Sequence, residues 1–302
     1  MQRYRTPLRY PGGKQRLAPF VREVLAANNL IGGHYVEPYA GGAGVAIELL
    51  LDRHVQHIHL NDSSLPVYAF WKAIVTDPDA LARRILSGSL DVDEWRKRRE
   101  IVRHPTEHDP MELAFSTLYL NRCNRSGVLT GGLIGGLAQS GDWTMGVRFP
   151  RNELIKRIEA IAGLAHSISV YHNDAEQFML ETVRTFPEAT LVYCDPPYFG
   201  KRSRLYLDSY KAADHGRVAR TIQDDLQRRW VVSYDAAPEI HEYYAGRRSF
   251  VYSLQYNAGP VYRGNEVFIF CDELNIPERS SVPYVDYAIR GLAASNRVCK
   301  GH

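Results

Sequence analysis

Long apolar runs are absent from this chain of 302 residues, and its few cysteines are scattered. No stretch approaches the roughly 20 apolar residues that a membrane-spanning helix needs, and residues 1–7 lack the apolar core of a secretory signal peptide. The cysteines have no paired spacing, which argues against a zinc cluster or a disulfide framework. They are Cys123, Cys194, Cys271 and Cys299. We therefore expect a cytoplasmic protein without a membrane anchor or a metal site.

The chain also lacks a strong excess of charge of either sign. It has 37 Lys and Arg residues and 34 Asp and Glu residues, which gives a net charge of +3. This balance permits a local basic face for nucleic acid but does not argue for one. Two nucleotide-binding patterns are missing as well: the phosphate loop GxxxxGK[ST] and the dinucleotide fingerprint GxGxxG. A nucleotide-dependent oxidoreductase is therefore disfavoured.

Strand and helix signals alternate in two parts of the chain, residues 1–64 and 149–290. This alternation predicts an α/β fold with a mostly parallel, doubly wound sheet and helices on both faces. The runs Phe250–Tyr256 and Glu266–Phe270 flank a turn and predict an antiparallel hairpin at one edge. Residues 65–148 are expected to form an insertion that is helical at first and rich in glycine and loops from Asn121 onward. Residues 291–302 are expected to be a frayed tail.

The most informative stretch is Asp195-Pro196-Pro197-Tyr198, which follows the apolar run 189–194. That run predicts a strand buried on both faces, and two prolines cannot continue a sheet ladder. The acid and the ring therefore lie at the carboxyl end of a strand, where open α/β sheets bind ligands. There the carboxylate and a proline carbonyl can accept the two N–H groups of a planar amine while Tyr198 stacks on its ring. Cys194 is interpreted as a small buried side chain rather than a nucleophile.

A glycine-rich loop follows an earlier strand and precedes a helix. Gly41, Gly42 and Gly44 allow close backbone approach of a ligand to the start of that helix. Asp62 ends the next strand, where its carboxylate can accept hydrogen bonds from ribose hydroxyls or cap a helix. Near the N-terminus, Tyr10 and Lys14 flank a turn and are suited to bracket a cofactor with a carboxylate and a sulfonium.

Three motifs occur in a defined order: residues 8–14 (LRYPGGK), 36–44 (VEPYAGGAG) and 195–198 (DPPY), with weaker matches at Asn173-Asp174 and 231–235 (VVSYD). In this order they resemble the Dam-type, alpha-arrangement family of S-adenosylmethionine-dependent DNA adenine-N6 methyltransferases. The resemblance implies that residues 1–64 and 149–290 form the catalytic, S-adenosylmethionine-binding domain. It also implies that residues 65–148 form the target-recognition region.

The resemblance further implies roles for individual residues. The catalytic residues would be Asp195, Pro196, Pro197 and Tyr198. The cofactor-binding residues would be Tyr10, Lys14, Glu37, Gly41, Gly42, Gly44, Asp62, Asp174 and Asp195. An adenine flipped out of double-stranded DNA would present its N6 amine to Asp195, and the amine would attack the methyl group directly and in line.

Contacts with DNA are expected from basic, amide and aromatic side chains near this site. They are Asn121, Arg122, Asn124, Arg125, Trp143, Arg148, Lys201 and Arg202. For any single arginine, a solvated surface position is the competing interpretation. The run Arg96–Arg99 is interpreted as a helix face.

Three alternatives stay open at this point. The chain could methylate adenine-N6 or guanine-N2 in RNA, or it could bind nucleic acid through a methyltransferase fold without catalysis. Cytosine-N4 enzymes tend to carry serine at the position of Asp195, which counts against that reaction. A monomer that works alongside a cognate restriction endonuclease is expected.

Overall fold

The structure is a computed structural model that describes residues 5–9, 14–199, 210–256 and 262–277. Several predicted features lie outside these residues: Tyr10, Lys201, Arg202 and the tail 291–302. Within the described ranges, no helix has both the length and the apolar character to cross a membrane.

Seven strands form one sheet in the order β3-β2-β1-β4-β5-β7-β6. The strands are β1 His34–Glu37, β2 His57–Asn61, β3 Ile168–Tyr171, β4 Thr190–Cys194, β5 Arg229–Asp235, β6 Arg248–Tyr256 and β7 Tyr262–Phe270. The pairs among β1 to β5 are parallel, whereas β7 is antiparallel to both β5 and β6. This arrangement confirms the mostly parallel sheet with an antiparallel hairpin at one edge.

Ten α-helices lie in the described residues. They are α1 Ala18–Ala27, α2 Gly44–Leu51, α3 Leu65–Thr76, α4 Pro78–Ser87, α5 Val92–Arg103, α6 Pro110–Cys123, α7 Arg151–Ala162, α8 Ala175–Gln177, α9 Ala212–Arg220 and α10 Pro238–Tyr243. After α8 the chain continues with one π-helical turn, Phe178–Thr182, and one 3-10 turn, Val183–Thr185. Another 3-10 turn, Lys14–Leu17, leads into α1.

The centre of the sheet is apolar on both faces, as expected for parallel strands covered by helices. Val36 of β1 and Val192 of β4 point to one face, Leu191 of β4 and Val231 of β5 point to the other, and all four are buried. From β1 the chain builds outward through β2 and β3, and it then returns to add β4 and β5 on the other side. The order therefore reverses between β1 and β4, and ligands of doubly wound sheets bind at the carboxyl ends of the strands beside such a reversal.

The segment between β2 and β3 begins with four helices, α3 to α6. Asp91 caps α5 by accepting a hydrogen bond from the amide of Glu94 at 2.8 Å. Arg98 on the same helix is buried and pairs with Glu94 and Glu112, so this part of the basic run is a packed helix face, as predicted. From Arg125 to Pro150 the chain is mostly turns, which agrees with its glycine content. The domain boundaries stay a prediction.

Candidate active site at the reversal of strand order

The glycine-rich loop and the Asp-Pro-Pro-Tyr turn lie at the same edge of the sheet. The loop follows β1 and the turn follows β4, and these strands are parallel neighbours with Val36 opposite Val192. Parallel neighbours end at a common edge. Asp195 is also close enough to Glu37 for its charge to contribute, after burial, to the raised pKa of Glu37. The two motifs therefore lie next to each other at one edge of the sheet.

Asp195 is held through one of its two carboxylate oxygens. Its Oδ1 accepts hydrogen bonds from Lys14 Nζ at 2.8 Å and from Ser233 Oγ at 2.9 Å. No residue in the described ranges donates to Oδ2, and the side chain is 22% exposed. Burial raises the pKa of Asp195, and the charge of Lys14 opposes that rise. The carboxylate is thus fixed on one side and available on the other.

Lys14 enters this site as a buried ion-pair partner. Its ammonium lies 2.8 Å from Asp195 and 2.6 Å from Glu266 Oε2, and it donates to Ser233 Oγ at 2.8 Å. Burial alone would lower the pKa of Lys14, but the charges of Asp195 and Glu266 outweigh it and hold that pKa well above its usual value. The lysine is therefore a cation bound to carboxylates of its own chain. The sequence had suggested a cofactor carboxylate for it instead.

Tyr198 is placed differently from expectation. The residue is only 1% exposed, so its ring is enclosed by the protein here, and its stacking on a target base stays a prediction. The cause of this enclosure is its hydroxyl, which donates to Glu266 Oε1 at 2.7 Å and holds the ring in the protein interior, with the Lys14 ammonium 5.5 Å from its centre. Pro196 and Pro197 are buried beside it and end the strand.

The glycine-rich loop turns sharply at Gly41. Gly41 has a φ of +45°, and its amide donates to Asp62 Oδ2 at 2.8 Å. Its carbonyl accepts from Trp71 Nε1 at 2.9 Å, and Thr6 Oγ1 donates to the Gly42 carbonyl at 2.6 Å. Asp62 thus connects the ends of β1 and β2, with its Oδ1 accepting from the Ser64 amide.

Gly44 packs closely against the N-terminal segment. A Cβ added at Gly44 would lie 3.0 Å from the Cβ of Gln15, so the turn that carries Lys14 would have to shift by a few tenths of an ångström to accept a side chain here. This contact is a structural reason for a glycine at position 44, and the sequence alone did not reveal it.

Two further acids were expected near a cofactor. Glu37 is buried and accepts from the Ala46 amide at 3.0 Å. Burial, with a smaller contribution from the charge of Asp195, raises the pKa of Glu37 to about 8. Asp174 is exposed and caps α8, with Oδ1 accepting from the amides of Glu176 and Gln177.

Aromatic residues that the sequence reasoning did not single out lie at the same edge. Tyr39, directly after the β1 motif, accepts a hydrogen bond from the hydroxyl of Tyr210 at 3.2 Å, and the rings meet edge to face. Next to them, the amide of Phe199 donates to Asp235 at the end of β5. The position of Tyr39 beside Glu37 was the one sequence signal for this cluster.

Three residues expected to contact DNA are structural instead. Asn121 is buried and binds both the amide and the carbonyl of Arg9, at 2.7 and 2.8 Å. Arg122 is buried and donates to the carbonyls of Arg148 and Pro7. Asn124 is buried and accepts from Trp95 Nε1 at 2.7 Å. The prediction of DNA contact is wrong for all three, because their polar groups are used to satisfy buried backbone and indole groups.

The other described DNA-contact candidates are accessible. Trp143 is 62% exposed, and the guanidinium of Arg148 lies 5.9 Å from the centre of its ring. Arg125 is exposed as well. These three side chains belong to the glycine-rich stretch, residues 121–148 of the insertion. Within that stretch, Gln139 connects neighbouring turns by donating to the carbonyls of Ile134 and Gly136.

Cys194 is fully buried, and burial raises the pKa of its thiol well above the usual value, which agrees with its interpretation as a packing residue. Within the described ranges, no group of three His, Cys, Asp or Glu side chains is arranged to hold a metal ion.

Some solved structures are similar to this chain at low identity. They include TrmN from Thermus thermophilus, at 12% identity and a TM-score of 0.35 over 84% of this chain and 48% of that one. They also include two structures of the rRNA methyltransferase aviRa from Streptomyces viridochromogenes. These match at 14% and 15% identity and a TM-score of 0.38 over 87% of each chain. This chain spans about half the length of TrmN.

No curated protein matches the chain. A family model does: the D12 class of N6 adenine-specific DNA methyltransferases matches residues 10–257, which include the glycine-rich loop and the Asp-Pro-Pro-Tyr turn. The predicted adenine-N6 DNA methyltransferase family is thereby confirmed, and this chain belongs to the D12 class of N6 adenine-specific DNA methyltransferases.

Proposed function

We propose that this chain transfers a methyl group from S-adenosylmethionine to the N6 amine of an adenine in double-stranded DNA, with Asp195 as the acceptor for that amine. One observation carries the assignment of Asp195: Lys14 and Ser233 hold Oδ1, while Oδ2 faces no donor among the described residues. This oxygen lies at the edge of the sheet that the glycine-rich loop shares.

The residues at the end of β1 fit S-adenosylmethionine. Gly41 and Ala43 both have a φ of +45°, so the loop turns tightly into the start of α2. The cofactor would be held there by Gly41, Gly42 and Asp62. Two further acids would contribute to the same site: Glu37 at the end of β1 and Asp174 at the start of α8. When bound, S-adenosylmethionine supplies an electrophilic methyl group on a sulfonium.

Asp195 and the carbonyl of Pro196 can activate the target amine together. The lone pair of the adenine amine is delocalised into the ring, which makes the amine a poor nucleophile. Hydrogen bonds from its two N–H groups to these oxygens favour a pyramidal nitrogen and localise the lone pair. The amine can then attack the methyl group directly and in line, so positioning and electrostatics are the main contributions. The proton that the methylated amine releases is taken up by Asp195 and passed to solvent.

The glycine-rich stretch would contact the DNA duplex. The target base must leave the base stack to reach Asp195, and this extrusion costs a few kcal/mol. Trp143 and Arg148 offer an exposed ring and a cation at one surface, the pair of groups that can occupy the gap in a duplex and bind its phosphates. Action as a monomer alongside a restriction endonuclease stays a prediction.

Analysis of methylated nucleosides tests the proposal. Unmethylated duplex DNA and single-stranded RNA are each incubated with the chain and S-adenosylmethionine, digested to nucleosides and analysed by mass spectrometry. We expect N6-methyladenine from the DNA alone. Methylated cytosine or methylated RNA would contradict the proposal, as would DNA that stays unmethylated. Sequencing that detects modified bases then gives the target site.

A further inference from the structure

Glu266 is a buried acid in the edge hairpin, beyond the last residue that the family model matches. Its carboxylate is 0% exposed, and three of the groups that hold it lie in the described part of the chain. Tyr198 donates to Oε1 at 2.7 Å, Tyr252 donates to Oε2 at 2.7 Å, and Lys14 Nζ lies 2.6 Å from Oε2. The register of the hairpin explains part of this arrangement, because Tyr252 is directly opposite Glu266.

A buried carboxylate is expensive unless it is paired, and here the pairing reaches the reaction site. Lys14 lies between Glu266 and Asp195, while Tyr198 connects Glu266 to the Asp-Pro-Pro-Tyr turn itself. Among the described residues, this group contains two carboxylates and one ammonium, so its acids outnumber its cations by one. This negative charge lies on the side of Asp195 opposite to Oδ2, the oxygen proposed to accept the amine. The low dielectric of the protein interior makes its electrostatic interactions stronger than they would be in water.

We propose that Glu266 is a positioning residue for methyl transfer, which fixes Lys14 and Tyr198 behind Asp195 and supplies the second negative charge of the site. The proposal rests on the proposed function. The adenine amine gains positive charge as it attacks the methyl group, and a net negative site favours that change. Glu266 touches neither the base nor the cofactor in this role, and it acts through Lys14 and Tyr198.

A purely structural Glu266 would have different consequences. In that case its loss would lower stability and leave the pH dependence of the surviving activity unchanged. In the role proposed here, the charge of Glu266 raises the pKa of Asp195. Removing that charge therefore lowers the pKa of Asp195 and moves the acid limb of the kcat/KM profile to lower pH. Lys14→Gln should move the same limb to higher pH, because the charge of Lys14 lowers the pKa of Asp195.

Glu266→Gln, which keeps the size of the side chain and removes its charge, is the decisive variant. We expect kcat to fall about 10- to 100-fold, with KM for DNA and the dissociation constant of S-adenosylmethionine within about threefold of wild type. Glu266→Asp keeps the charge but withdraws it by one methylene group. We expect it to recover part of the lost kcat and to keep the wild-type acid limb. Glu239→Gln, at an exposed position on α10, is the matched control and should behave as wild type.

Several outcomes would overturn the role of Glu266. A folded Glu266→Gln enzyme with wild-type kcat would do so, and so would a reduced kcat with an unmoved acid limb. If that variant does not fold, Glu266→Asp decides the question, and a kcat within twofold of wild type overturns the proposal. A wild-type chain that leaves DNA unmethylated would instead refute the proposed function, and the two failures are therefore distinguishable.

Discussion

Replacing Asp195 with alanine is the most direct perturbation of the site. The change removes the oxygen proposed to accept the target amine, together with the partner of Lys14 and Ser233. Loss of one preorganised partner of a reacting group costs about 3–4 kcal/mol, which corresponds to a fall in kcat of about 10²- to 10³-fold. Stability should change by only about 1 kcal/mol, because Lys14 keeps its ion pair with Glu266 at 2.6 Å.

Single-turnover transfer of a radiolabelled methyl group to unmethylated DNA measures this loss without the contribution of product release. Calorimetric titration with S-adenosylmethionine and thermal unfolding show whether the variant still binds its cofactor and folds. Asp224→Ala, at an exposed position after α9, is the control for removing a carboxylate. A folded, cofactor-binding Asp195→Ala enzyme with a rate within threefold of wild type would refute the role of Asp195.

Three further predictions concern other parts of the chain. Trp143→Ala should weaken DNA binding by about 1–3 kcal/mol and spare cofactor binding, as fluorescence anisotropy and calorimetry would show; unchanged DNA affinity would contradict this. Asn124→Ala leaves the indole N–H of Trp95 buried and unsatisfied, so the free energy of unfolding in urea should fall by about 2–4 kcal/mol, and an unchanged value would contradict the structural role. His59 is buried beside His34, and burial lowers its pKa to about 3. Because only the unfolded chain takes up this proton between about pH 6.5 and 3, stability should fall on acidification by up to about 1.4 kcal/mol per pH unit. Urea titrations at pH 7 and 5 should show a smaller fall for His59→Phe, and identical slopes would argue against it.

The strand ends were predictable because the signals that define them are local. A short apolar run that stops at two prolines, as it does before Asp195, can hardly be anything but a buried strand that leaves the sheet. Glycines that follow one strand and precede a helix, as at Gly41, give the second strand end in the same way. Once both strands are taken as parallel, their carboxyl ends must share an edge. The shared edge of the sheet therefore follows from sequence, whereas the side-chain contacts at that edge do not.

The side-chain contacts were less predictable because residue type does not reveal burial. Asn121, Arg122 and Asn124 have the donors that phosphates and base edges need, and buried backbone groups need the same donors. Tyr198 was expected to face a base, but a carboxylate 68 residues away in the sequence binds its hydroxyl. That partner, Glu266, belongs to β7, the strand next to the edge of the sheet, whose apolar pattern gives no sign of a buried charge. Only the pairing of β5 with β7 brings it to the site.

The misassigned amide of Asn121 shows how the insertion and the reaction site are joined. Asn121 lies on α6, and it binds the amide and the carbonyl of Arg9 in the N-terminal segment. Five residues later in that segment, Lys14 pairs with Asp195. At its other end the segment is tied to the glycine-rich loop, where Thr6 donates to the Gly42 carbonyl. Along the chain, the N-terminal segment therefore contacts the glycine-rich loop through Thr6, the helical insertion through Arg9 and the acidic turn through Lys14. A residue that contacts no DNA can thus influence catalysis, because it fixes the backbone that carries the lysine.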